Sequence, residues 1–231
     1  MKPYALAAVA LLLAGCGPEA RPGPTQHETR TVELGKAELT RVDLRMGAGE
    51  LHVSGGSSHL ADADFTYNVD NWKPRVEYHS TGVRDDLEIS QPEGASAIGN
   101  TEYRWDIRLN DGALVDLVTK LGAGEAHMNL GSMNLRNVEL NMGVGEVEMD
   151  LRGSPKRSYD VRINGGVGQA TVRLPRSVGI SATAQGGIGD INVEGLEQRN
   201  GRWINPSQLN SPITIRVDVK GGVGEIKLIA E

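Results

Sequence analysis

Cysteine is almost absent: Cys16 is the single one in 231 residues, so no disulfide can form within the chain. Aromatic residues are sparse at 4%, with one phenylalanine among them. No run of Lys and Arg occurs, and 30 acidic against 24 basic residues leave a formal net charge of -6. Phosphate backbones are bound by clustered positive fields, so this balance excludes a broad nucleic-acid binder. The longest apolar stretch, residues 5–14 (ALAAVALLLA), is too short to cross a bilayer as a helix. Beyond it no segment has helical periodicity. Glycine is what the chain has in excess: 30 residues, roughly twice the usual share of ~7%. Hydrophobic residues at 39% suffice to build a core, so wholesale disorder is excluded and the glycines mark turns.

Lys2, the apolar stretch and the small residues that follow read as a secretory signal over residues 1–15. Leu13-Ala14-Gly15-Cys16 resembles the bacterial lipobox. That resemblance implies diacylation of the Cys16 thiol, cleavage before it and acylation of the new amino terminus. Two or three acyl chains anchor stably where one does not. Gly17 in place of Asp favours the outer membrane if the host is diderm. Residues 16–31, with Pro18, Pro22 and Pro24 and no apolar periodicity, read as a flexible tether of about 20 Å. His27 lies within it, with no visible partner.

A four-residue motif then recurs six times: Gly47-Ala48-Gly49-Glu50, Gly122-Ala123-Gly124-Glu125, Gly143-Val144-Gly145-Glu146, Gly166-Val167-Gly168-Gln169, Gly187-Ile188-Gly189-Asp190 and Gly222-Val223-Gly224-Glu225. Three consecutive intervals are 21–23 residues, a repeat rather than a bias of composition. Counting from the first glycine, apolar residues fall at +1, +4, +6 and often +8, as in Val144, Val147, Met149 and Leu151. A period of two predicts strands, and the step of three is a slip that turns the apolar face outward unless the backbone bends there. The glycine at +2 supplies that bend. Each repeat thus reads as strand, bend, strand and polar turn, stacked about 4.8 Å from its neighbours with all apolar offsets, +1 included, in one interior column and the glycines along one corner.

The expected fold is all-β, a right-handed β-solenoid of ~21–23-residue coils. An antiparallel sandwich or barrel of short strands is the competing architecture. One domain is expected over residues 32–231, with irregular coils at 33–115 and regular repeats at 116–231, interrupted by a loop at 196–212 between the last two coils. The irregular part holds Phe65, Tyr67, Trp72, Tyr78, Tyr103 and Trp105, six of the nine aromatics, expected to cap the open N-terminal end of the core. The last coil, residues 222–231, lacks a polar cap and is a candidate homodimer site.

The strand–GxGE–strand pattern, with Trp105-Asp106-Ile107-Arg108-Leu109-Asn110 leading toward its second copy, resembles the toast-rack β-solenoid proteins of bacterial envelopes. That family includes the C-terminal domains of Lia-type regulators of the cell-wall-antibiotic response and adhesin-type lipoproteins. Over residues 33–231 the resemblance implies a right-handed β-solenoid at the cell envelope, with no catalytic set to carry over.

The residues themselves point weakly to chemistry. None of the six glycine motifs leads into a helix, so none is a phosphate loop. Glu50, Glu125, Glu146, Asp190 and Glu225 would line one edge if the coils stack in register, a candidate calcium site or simply solvated groups at a bend. Gln169 interrupts the row. His52, His59, His79 and His127 share no spacing such as HxxxH, which argues against zinc. Scattered acids, Asp85 and Asp86 among them, leave a polysaccharide-active enzyme as one alternative, though no G-x-S-x-G elbow is present. Trp72 and Trp203 fall in loops, either as partner-binding rings or as lids on the core. The reading is a non-enzymatic envelope lipoprotein, anchored through its N-terminal lipid, that presents a rigid surface to a protein or glycan. Stress sensing through a membrane partner is the other alternative.

Overall fold

The computed structural model describes residues 21–92 and 99–231. The signal segment and Cys16 lie outside the described residues. The chain is all-β, with strands β1 Gln26–Val32, β2 Leu39–Ser57, β3 Ala61–Tyr67, β4 Arg75–Ser80, β5 Arg84–Ser90, β6 Tyr103–Asn110, β7 Leu114–Asn129, β8 Asn134–Asp150, β9 Tyr159–Leu174, β10 Gly179–Gln185, β11 Ile191–Glu194, β12 Glu197–Arg199, β13 Arg202–Ile204, β14 Thr214–Lys220 and β15 Val223–Ala230. Two 3-10 turns, Asp70–Trp72 and Pro206–Leu209, are the helical elements among the described residues.

Four long strands, β2, β7, β8 and β9, each run through their glycine motif; the Gly187 motif separates β10 from β11, and β14 and β15 are parted at Gly221 and Gly222. Period-two alternation buries Leu117 and Leu121 before the bend of β7, and Ala126 and Met128 after it. The apolar sides of both arms share one core, in which Leu44, Leu51, Leu140, Met149, Val161 and Val172 are almost fully buried. Neighbouring coils pair in parallel and in register, so Gly49, Gly124, Gly145, Gly168 and Gly224 stack in one column. Gly47, Gly122, Gly143, Gly166, Gly222 and Gly187 form a second column beside it, and from Gly122 onward a Cβ on each would meet the carbonyl oxygen of the preceding glycine in that column.

Glycine is required at this corner on two counts. Gly145 has φ +138°, and a Cβ placed there would lie 1.8 Å from the carbonyl oxygen of Gly124. At Gly143 the conformation is ordinary, but a Cβ would lie 2.4 Å from the carbonyl oxygen of Gly122. The corner is therefore a backbone-to-backbone contact with no room for side chains.

Several expectations are corrected. The +1 residues do not join the core: Val144, Val167, Val223 and Ile188 are 53, 49, 45 and 72% exposed, because the bend begins at the first glycine and throws its successor outward from the apex. The coils do not stack in chain order. β14 lies between β9 and β10, and β15 between β9 and β11, so the Gly222 coil sits inside the stack and the Gly187 coil outside it. Residues 222–231 are consequently not an open end. Within 196–212 a hairpin, β12–β13, pairs antiparallel with β10 and covers that edge. Residues 26–31 are not tether but part of β1, antiparallel to β3.

The aromatic cap does close the N-terminal end. β2 is already a regular coil, paired in register with β7, and the irregular part is what flanks it: β6 and β5 run parallel to β2, and β3, β1 and β4 extend antiparallel from them. Trp105 and Phe65 are fully buried with ring centroids 5.6 Å apart at 78°. Trp72 packs edge-on to Tyr103 at 5.3 Å, and its carbonyl accepts the Tyr103 hydroxyl at 2.8 Å.

Gly145→Ala is expected to destabilise the chain by at least about 3 kcal/mol, combining backbone strain with a clash. Gly201→Ala, at φ +75° with no atom within 4 Å of the new Cβ, should cost about 1–2 kcal/mol. Urea midpoints at unchanged m-value measure the difference, and equal effects would contradict the close-packed corner.

Candidate functional site

The arms that follow the bends form one sheet whose outer face is polar, because residues +3 and +5 of each motif alternate away from the core. The +3 column is Glu50, Glu125, Glu146, Gln169 and Glu225, paired strand to strand, with Asp190 at its outer end. The +5 column runs from Asp106 of β6 through His52, His127, Glu148, Thr171 and Lys227 to Asn192. A third row contains Arg108, Ser54, Asn129, Asp150 and Arg173, and a shallow groove of about 420 Å³ lies over the last two rows.

The carboxylate edge is assembled in space, but Glu50, Glu125 and Glu225 each turn to the side chain two residues further along their own strand. Glu50 Oε1 is 2.7 Å from His52 Nε2, and Glu125 Oε2 is 3.4 Å from His127 Nε2. Glu225 accepts from Lys227 Nζ at 2.9 Å and from Asn192 Nδ2 at 2.7 Å. These two donors hold the Glu225 carboxyl below the usual glutamate range, Lys227 contributing most. In the third row Arg152, bonded to Asp150, holds that carboxyl low as well. Arg152 and Arg173 also converge on Glu231, at 2.8 and 3.2 Å.

Among the described residues, Glu50, His52 and His127 are the group of three whose ligand atoms lie within 4.8 Å of one another. The two imidazoles come from adjacent coils and meet with ring centroids 4.9 Å apart. No spacing along the chain reveals this pair; the signal was the repeat itself, since each histidine lies five residues after the first glycine of its motif. His59 and His79 lie elsewhere, His59 against Asp62 at 3.0 Å.

Other candidates are not brought together. Asp85 is 1% exposed and bonded to Tyr78, whose hydroxyl is pushed up by burial and by that carboxylate. Asp86 points to the opposite side of β5, to Arg84 at 3.0 Å, so the two form no shared catalytic pair. Trp72 is 7% exposed and is no surface anchor. Trp203 is half-buried, opposite Ala182 of β10 and packed on the core as a lid. What does stand on the surface is an apolar ridge along the glycine corner: Ala48, Ala123, Val144, Val167, Val223 and Ile188 are adjacent in register.

A family model described as the N-terminal domain of toast_rack, DUF2154, matches residues 21–173. A solved structure named "putative cell adhesion protein" from Clostridium sporogenes is 34% identical with a TM-score of 0.86, over 90% of this chain and 100% of that one. Two structures named "putative adhesin", from Parabacteroides merdae and Bacteroides fragilis, align over 90% of this chain and 98% and 99% of theirs. Their identities to this chain are 12% and 11%, with TM-scores of 0.32 and 0.36. No curated protein matches the chain.

NMR titration should place the Glu225 carboxyl below the ordinary glutamate range, and Lys227→Ala should bring it up. Because the folded value is depressed, the stability it contributes is present above the ordinary glutamate pKa and lost as pH falls through the folded one. An unchanged titration in the Lys227 variant would remove that ion pair as the cause.

Proposed function

We propose that this chain, which belongs to the toast-rack family, is an adhesin-like, non-enzymatic envelope protein that binds a protein or glycan along its glycine corner. The observation that carries this reading is the ridge. Four bulky apolar side chains, Val144, Val167, Val223 and Ile188, stand exposed on four adjacent coils, flanked by glycines that offer bare backbone. Contiguous exposed apolar surface marks interaction sites, and backbone held in register between coils presents it without an ordering cost. The name of the Clostridium sporogenes structure, a cell adhesion protein, supports an envelope setting.

Anchoring belongs to the same proposal. Acyl chains on Cys16 hold the domain at the membrane, on the outer membrane in a diderm host, ahead of β1. No helix among the described residues is long and apolar enough to cross a membrane. The lipobox-like Leu13-Ala14-Gly15-Cys16 is what supports the lipid as the attachment. The stack is read as a right-handed solenoid with coils of about 21–23 residues. The pairing of Gly124 with Gly145 and of Gly145 with Gly168 supports the length, and the preference of parallel crossovers supports the hand.

Cys16→Ser should release the chain from the membrane fraction to the soluble one, and retention would end the anchoring reading. A photoreactive residue at position 167, in the native envelope, should capture one dominant protein or glycan adduct. The same probe at Arg162, on the outer side of the arm that precedes the bend, should not. Equal capture at both positions, or none at 167, would overturn the ridge as the binding surface.

A further inference from the structure

We propose that Glu50, His52 and His127 form a binding site for a zinc-type divalent metal ion that joins the first two regular coils. The site is made by register. β2 and β7 pair with His52 opposite His127, and Glu50, two residues earlier on β2, points to the same outer face. One ligand atom from each residue lies within 4.8 Å of the other two. In a zinc tetrahedron with bonds of about 2.0–2.2 Å the ligand atoms stand about 3.3 Å apart, so side-chain rotations of an ångström or so close the site.

A carboxylate lies beside the second nitrogen of each imidazole, where the supporting partner of a metal-ligating histidine stands. Asp106 Oδ1 lies 3.2 Å from His52 Nδ1, leaving His52 Nε2 directed at Glu50. Glu148 Oε2 lies 3.4 Å from His127 Nδ1, leaving His127 Nε2 directed at Glu125. A carboxylate in that place orients a histidine once it binds a metal. Four strands thus contribute: β2 and β7 the ligands, β6 and β8 the carboxylates behind them. The neighbouring cation, Arg104, is engaged by both oxygens of Asp106 at 2.8 and 2.9 Å, which offsets its charge beside Glu50.

Two imidazoles and a carboxylate suit borderline metals such as Zn2+, whereas calcium and magnesium take oxygen ligands. The site is also local. At the same two positions the later coils carry Glu146 and Glu148, Gln169 and Thr171, and then Glu225 and Lys227, where the Lys227 ammonium itself neutralises the carboxylate. The first two coils have no built-in cation at the equivalent place, and a bound metal ion fills that role. Three protein ligands leave a fourth position for water or for a group on a partner.

The test uses the untagged full chain in detergent micelles, stripped with EDTA and titrated with ZnCl2 by calorimetry, with Co2+ absorption as a second readout. One zinc per chain is expected, together with the visible bands of low-symmetry Co2+. His52→Ala and His127→Ala should each weaken binding by more than about 100-fold, and Asp106→Asn by about 10–100-fold, the range for loss of a supporting partner. His59→Ala with His79→Ala should change nothing. Both ligand histidines are half-exposed, and urea midpoints in EDTA establish that the variants fold. Absence of saturable zinc binding, binding that survives loss of His52 and His127, or calcium binding as tight as zinc would each overturn the proposal.

Discussion

The rest of the structure depends on one close approach: backbone against backbone at the glycine corner. A Cβ on any stacked motif glycine from Gly122 onward would lie within about 2.4 Å of a carbonyl oxygen on the adjacent coil, well inside contact distance. Because the coils touch there through main chain alone, the corner can turn sharply enough for both arms to face one core. The glycine columns also fix the register on either side. A slip of one residue would set a Cβ against a carbonyl and turn Met128, Met149 and Val172 toward solvent.

Register is in turn what gives the outer face its chemistry. Side chains five residues past the first glycine stand opposite one another on neighbouring coils, so an ordinary local alternation becomes rows running the length of the stack. Composition along such a row then decides local character: acid and imidazole near β2 and β7, ammonium and amide near β15 and β11. The apex residues form another row, held outward by the bend. A repeat protein of this kind presents one-dimensional surfaces, in which neighbouring substitutions couple and distant ones do not.

Much of this was legible in the sequence. Val147, Met149 and Leu151 were placed in the core by their period of two, and the need for glycine at Gly145 by the slip beside it. The family resemblance rested on the same residues. The outward Val144 was not legible, because a parity rule cannot say on which side of the slip the chain begins to turn. His52 and His127 are far apart in sequence, and spacing rules for metal ligands presume one helix or loop. β1 is not legible because Thr29, Arg30 and Thr31 belong to an edge strand, exposed along much of its length and with no apolar face. The buried site of Trp72 depends on Tyr103, thirty-one residues away, and no local pattern carries that contact.

The exchanged order of the last two coils bears on how the molecule is made. Chain emerging from synthesis lays down β9, then the strands of the outermost coil, and only afterwards the strands that fit between them. Until β14 and β15 arrive, β10 and β11 have no parallel neighbour to pair with, so the outer coil cannot be added by simple extension of the stack. A solenoid that could otherwise grow coil by coil is completed here by β14 and β15, which makes their synthesis a condition for assembly of that end. Loss of the C-terminal strands would leave a gap within the stack rather than a shorter stack.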